Sequence, residues 1–135
     1  MGSVLADTSA LYALINPEDD HHPKAVEIYG SLLQRQVVLV LPNFILAETH
    51  TLINRRIGHL AAREFLQKTI QDFNIERATV EDEWTALATL VEGRRSKGLS
   101  YFDAIAVAVA ERLGIEEVFT FDRHFKLMGL KVCSS

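Results

Sequence analysis

Along this chain, short unbroken apolar runs are separated by longer stretches in which apolar residues recur at helical spacing. Ser3 to Ala6 is the first short run, and Asp7-Thr8-Ser9 leads from it into a helix beginning near Ala10. A polar loop follows from Asn16 to Pro23, with turn residues at both ends. A helix is expected from Ala25 to Leu33, and Val37-Val38-Leu39-Val40-Leu41 then reads as a fully buried strand. Pro42-Asn43 turns the chain into a helix through about Arg56, with Ile45, Thr49, Leu52 and Ile53 as its inward stripe. After Gly58 the pattern predicts a helix from Leu60 to Gln71, a short strand from Asn74 to Ala78, and a helix from Thr79 through Arg94. Ser100 and Asp103 open another helix, which is apolar on nearly every face from Ala104 to Ala110 and stops at Gly114. Val118-Phe119-Thr120-Phe121 has strand composition and ends on Asp122, and Leu130 to Val132 forms a last edge strand.

A helix apolar on every face must be buried, and apolar strands alternating with helices imply a parallel α/β sheet. Such sheets place their sites at the carboxyl ends of strands. The 135 residues contain no repeat and no linker, so one domain spans 1–135. Hydrophobic residues at 48% and charged ones at 24% describe an ordinary globular chain rather than a disordered one. The single cysteine, Cys133, excludes an intramolecular disulfide and points to a reducing, cytoplasmic setting. No basic region precedes the first apolar residues, and no apolar run reaches the length of a membrane span.

Four carboxylates fall where a parallel sheet would gather them. Asp7 ends the first strand, Glu48 faces inward soon after the second, Asp103 begins the buried helix and Asp122 ends a later strand. Each also has a structural reading. Asp7 suits a helix N-cap, and Glu48 at a stripe edge reaches solvent along its stem. Asp103 repeats the spacing of Thr79 with Asp82, a capping box of no chemical consequence. As a group the four are harder to explain structurally. Two unit charges about 4 Å apart repel by about 4 kcal/mol at an effective dielectric of about 20. Four such groups need a cation, and hard oxygen donors without His or Cys favour Mg²⁺ or Mn²⁺. Such an ion polarises a phosphoryl oxygen and acidifies water, the chemistry of phosphodiester hydrolysis. The net charge of -4 argues against a nucleic-acid partner at first sight, but these four acids account for all of it. The Asp and His pairs between Asp19 and His22 stay outside the site, because adjacent loop residues diverge.

Asp7-Thr8-Ser9-Ala10-Leu11, the inward Glu48, Ser100-Tyr101-Phe102-Asp103-Ala104 and Thr120-Phe121-Asp122 together resemble the PIN-domain pattern, in order and over nearly the whole chain. The resemblance is to small bacterial and archaeal PIN proteins, among them VapC-type toxins of toxin–antitoxin pairs. It implies a three-layer α/β/α sandwich around a mostly parallel sheet of four or five strands. It also implies a Mg²⁺- or Mn²⁺-dependent endoribonuclease with the four acids as catalytic metal ligands, supported by Thr8 or Ser9 and by Thr120. The expected partners are an RNA substrate, a cognate antitoxin whose basic side chain enters the acidic pocket, and a second copy of the chain. Leu11, Tyr12, Leu14 and Ile15 are the candidate dimer patch, with core burial the competing reading for at least two of them. For RNA contact the candidates are Arg94, Arg95 and Lys97, then Arg55, Arg56 and Arg63, with solvated helix ends as the alternative. A catalytically idle PIN-like interaction domain and an RNA-processing nuclease without an antitoxin are the competing functions. A phospho-acceptor receiver domain would need paired acids after the first strand, and a nucleotide-binding module would need a glycine-rich phosphate loop. This chain has neither.

Overall fold

The computed structural model describes residues 2–93 and 98–134. Five strands, β1 (Ser3–Ala6), β2 (Val38–Pro42), β3 (Asn74–Glu76), β4 (Glu117–Phe119) and β5 (Lys131–Val132), form one sheet in the order β3-β2-β1-β4-β5. Every pairing is parallel, with Leu5 opposite Val40 on one side and Val118 on the other. The helices are α1 (Thr8–Ile15), α2 (His22–Gln34), α3 (Asn43–Arg56), α4 (His59–Asp72), α5 (Val80–Glu92), α6 (Tyr101–Leu113) and α7 (His124–Leu127).

Alternation along the strands divides the core between two faces. Val4, Leu39 and Phe119 pack with Ala25, Ile28 and Leu32 of α2. Leu5, Val40 and Val118 pack on the other face with Ile45 and Ile53 of α3, Phe65 of α4, and Ala106 and Val107 of α6. The result is the three-layer sandwich. All seven residues from Ala104 to Ala110 are buried, as the apolar pattern required. α6 ends at Gly114, whose left-handed φ of 69° turns the chain toward β4.

The chain runs from β1 outward to β2 and β3, then crosses to β4 on the opposite side of β1. The switch point therefore lies between β1 and β4, where open parallel sheets form their crevice. β4 is shorter than expected, ending at Phe119 rather than Phe121. Beyond it, the amides of Phe121 and Asp122 bond to the hydroxyls of Ser9 and Thr120 instead of to a neighbouring strand. Asp122 thus sits on a turn three residues past the strand end.

Two other expectations are corrected. Glu48 does not face the core. The core line of α3 is Ile45, Thr49 and Ile53, and one step back along a helix rotates Glu48 by about 100° into an exposed position. Leu52 shares that outer face and is only half-buried. In the suggested dimer patch, Leu11 and Tyr12 are core residues, while Leu14 and Ile15 are half-buried.

Candidate metal centre at the switch point

Asp7 occupies the N-cap position of α1, yet its side chain makes no capping bond. It turns toward β4 instead, where Oδ2 accepts hydrogen bonds from Thr120 Oγ1 at 2.7 Å and Ser9 Oγ at 2.9 Å. Both hydroxyls converge on Oδ2 and leave Oδ1 outside these bonds. The carboxyl is only 5% exposed. Burial raises its pKa from 3.8 to about 6, with the two hydroxyls pulling down and the Asp103 charge pushing up.

Ser9 and Thr120 also build the far side of the site. Ser9 Oγ accepts from Phe121 N–H at 3.0 Å, and Thr120 Oγ1 accepts from Asp122 N–H at 2.9 Å. The same two hydroxyls that hold Asp7 therefore fix the turn carrying Asp122. On the opposite flank, Thr8 Oγ1 donates to Glu48 Oε1 at 2.7 Å, while Thr49 Oγ1 lies 3.1 Å from Thr8 Oγ1. All three supporting residues read from the sequence thus touch an acid of the site.

Asp103 is the common neighbour. Its backbone N–H donates to Ser100 Oγ at 3.0 Å, fixing the first turn of α6. Burial is the main cause that raises its carboxyl above the ordinary range, and the charges of Asp122 and Glu48 push it further. Asp103 in turn raises Asp7. The four acids therefore sense one another through Asp103. Among the described residues, no lysine or arginine forms an ion pair with any of them.

His124 is a member that sequence reasoning missed. One ligand atom each from Asp103, Asp122 and His124 lie within 4.8 Å of one another. His124 N–H donates to Asp122 Oδ1 at 2.9 Å, a tight turn that brings the ring back over the carboxylate. Nδ1 lies 2.7 Å from Asp122 Oδ1 but out of hydrogen-bond alignment, and this buried atom has no other partner. Gly98 lies against the other side of the ring, where a Cβ would fall 2.7 Å from Nε2. The available sign was a histidine two residues after Asp122, which carries no weight until the turn is known. The loop histidines do stay outside this group. His22 Nδ1 contacts Ala13 O at 2.7 Å, and His21 stacks on Phe121 at 4.4 Å between centroids.

Three carboxylates and an unpartnered imidazole nitrogen without a countercharge suit a cation, so the donor set fits a divalent ion. A family model described as "PIN domain" matches residues 4–130. The chain belongs to the PIN-domain family. Among PIN proteins, it is 33% identical over 129 residues to the "23S rRNA-specific endonuclease VapC20" of Mycobacterium tuberculosis, covering 93% of this chain and 94% of that one. It is 31% identical over 128 residues to a "VapC ribonuclease" of Archaeoglobus fulgidus, covering 93% and 80%. The crystal structure of the M. tuberculosis VapC20, titled a Sarcin-Ricin loop cleaving toxin, superposes with a TM-score of 0.85 at 32% identity, over 94% of this chain and 95% of that one.

Of the basic residues expected to meet RNA, Arg94, Arg95 and Lys97 lie outside the described residues. Arg55 borders a groove next to Glu48, Arg56 lies 5.6 Å over the Tyr12 ring, and Arg63 is exposed on α4. Among the described residues, no helix is long and apolar enough to cross a membrane.

Proposed function

We propose that this PIN protein is an endoribonuclease that uses Mg²⁺ or Mn²⁺ held by Asp7, Glu48, Asp103 and Asp122, with His124 positioning Asp122. The observation that carries the reading is the position of Asp103, whose carboxyl is coupled to the other three acids with no basic side chain paired to any of them. A bound divalent ion supplies polarisation of a phosphoryl oxygen and acidification of water. The residues of the chain do the rest. Thr120 and Ser9 tie down Oδ2 of Asp7, which leaves Oδ1 to the ion. Thr8 holds Glu48, the exposed acid, on the side from which substrate arrives. The VapC relatives support RNA as substrate, and the name of the M. tuberculosis protein makes 23S rRNA the first one to test.

The same relatives support the rest of the reading: a cytoplasmic toxin with a cognate antitoxin, acting as a homodimer. A cluster of carboxylates without a countercharge is readily blocked by arginine, whose planar fork meets carboxylates two bonds at a time. The test is incubation of the purified chain with total RNA and with 23S rRNA in Mg²⁺, Mn²⁺ or EDTA, with the products mapped to the nucleotide. Discrete cuts in metal, absent in EDTA and in Asp7→Asn, are expected. Intact RNA in both metals would overturn the nuclease reading and leave the idle interaction domain.

A further inference from the structure

Beside the acids runs an open groove of about 460 Å³ between α3 and the start of α6. Thr8 and Glu48 border it at the end nearest the acids, Phe44, Leu52 and Phe102 line it, and Arg55 also borders it. We infer that this groove is a nucleobase subsite, in which a base flanking the scissile phosphate stacks on Phe102. The inference rests on the ribonuclease reading and deepens it.

Phe102 is 46% exposed, immediately before Asp103 in the chain. Its ring lies 5.9 Å from that of Phe44 at an interplanar angle of 10°, so a half-buried ring backs an exposed one and holds it flat. Single-stranded RNA is recognised by splayed bases on such rings, and each base has a flat face to offer. The groove also has the order of chemistry that a nucleotide needs. The acids at one end accept a phosphate through a cation, the ring pair accepts a base, and Arg55 accepts a following phosphate. Arg55 lies seven residues after Glu48 on one helix, a rise of about 10 Å. Among the described residues Arg55 makes no ion pair, so its charge is not already spent on a neighbouring acid. A protein segment would use the apolar wall, but it would not need both an acid cluster at one end and an arginine along the same helix.

The test is stopped-flow fluorescence of a single-stranded RNA pentamer containing 2-aminopurine, mixed with the full chain in Mg²⁺ and read before cleavage. Stacking on wild type should quench the probe. Phe102→Leu, which keeps bulk and removes the ring, should lose the quench and weaken binding about ten-fold. Phe102→Tyr should retain both. A pentamer made abasic at the stacked position should bind wild type as weakly as the intact one binds Phe102→Leu, with no further loss in the variant. Calorimetric Mn²⁺ affinity should be equal in all three proteins, showing that the acids are undisturbed. If Phe102→Leu quenches and binds like wild type while wild type cleaves RNA, the subsite is overturned and the nuclease reading stands. The subsite is equally overturned if Phe102→Tyr behaves like Phe102→Leu, or if Phe102→Leu spares RNA binding and loses only a co-purifying protein. No binding and no cleavage by wild type would remove both.

Discussion

Asp82 and Asp103 hold the same position on consecutive helices, three residues after a Thr or Ser N-cap whose hydroxyl accepts their N–H, yet their charges meet opposite surroundings. Asp82 is buried, which alone would raise its pKa. Bonds from Arg112 Nε at 3.0 and 3.1 Å and from Thr79 N–H outweigh burial and hold it below the ordinary range. Asp103 has the Ser100 bonds but no arginine, and faces Asp122 and Glu48. One acid is therefore structural and the other is poised for a cation. Asp82→Asn should cost about 2 kcal/mol, by weakening charged hydrogen bonds to a half-exposed arginine, and should leave RNA cleavage intact. Asp103→Asn should abolish cleavage and leave the unfolding midpoint equal or higher, since asparagine removes a repelled charge. Chemical unfolding paired with a cleavage assay separates the two, and cleavage retained by Asp103→Asn would make it a cap and nothing more.

Thr120→Val tests the hydroxyl that serves both sides of the site. The substitution keeps shape but removes the donor to Asp7 and the acceptor for Asp122 N–H, both in a buried setting. A loss of about 1–3 kcal/mol is expected, together with weaker Mn²⁺ binding by calorimetry. Unchanged metal affinity would show that Asp122 is held by other means.

The apolar pattern was enough to place the five strands, because unbroken runs such as Val38 to Leu41 fit only a sheet covered on both faces. It was enough for the order of the acids as well. It failed where one residue's role depends on a distant one. The Phe44, Glu48 and Leu52 line has the spacing of a core stripe, but it faces a groove whose far wall is Phe102, on a helix much later in the chain. Periodicity shows that residues share a face without showing what the face meets. The early end of β4 depends on Ser9, 112 residues before Phe121, capturing an amide that would otherwise have continued the strand. His124 joins the site only through a turn that its own N–H closes on Asp122.

The largest exposed apolar feature is on α5, where Val80, Trp84, Leu87 and Val91 recur at helical spacing and Trp84 is 68% exposed. This stripe replaces the first helix as the candidate dimer face, since Leu11 and Tyr12 are in the core. Trp84→Lys should shift the chain from dimer to monomer in light scattering. The stability of the monomer should change by no more than about 0.5 kcal/mol, as expected for an exposed site. A wild-type chain that is monomeric at high concentration would reject the stripe as a self-association surface.

The buried Asp7 makes the stability of the metal-free protein depend on pH in a direction opposite to that of an ion-paired acid. Its folded pKa of about 6 lies above the ordinary 3.8, so between these values the folded state holds a proton that the unfolded chain has released. Stability in EDTA should therefore fall as pH rises from about 4 to about 6 and level off above, by an amount on the order of 3 kcal/mol. Asp103, raised for the same reason, acts in the same direction. Asp82 acts oppositely, but its contribution is lost only at more acidic pH, because its pKa is lowered. Subtracting the profile of Asp7→Asn, which carries no charge at that position, isolates the term. A divalent ion replaces the proton as the countercharge, so saturating Mn²⁺ at about 100 times its dissociation constant should add about 2.7 kcal/mol at neutral pH. The ion should add much less near pH 4, where protons compete for the same oxygens. Thermal unfolding in EDTA and in Mn²⁺ across this range, for wild type and Asp7→Asn, measures both effects. A wild-type profile in EDTA parallel to that of Asp7→Asn would mean that Asp7 keeps its charge without an ion, and the cation would then lose its thermodynamic reason to bind there.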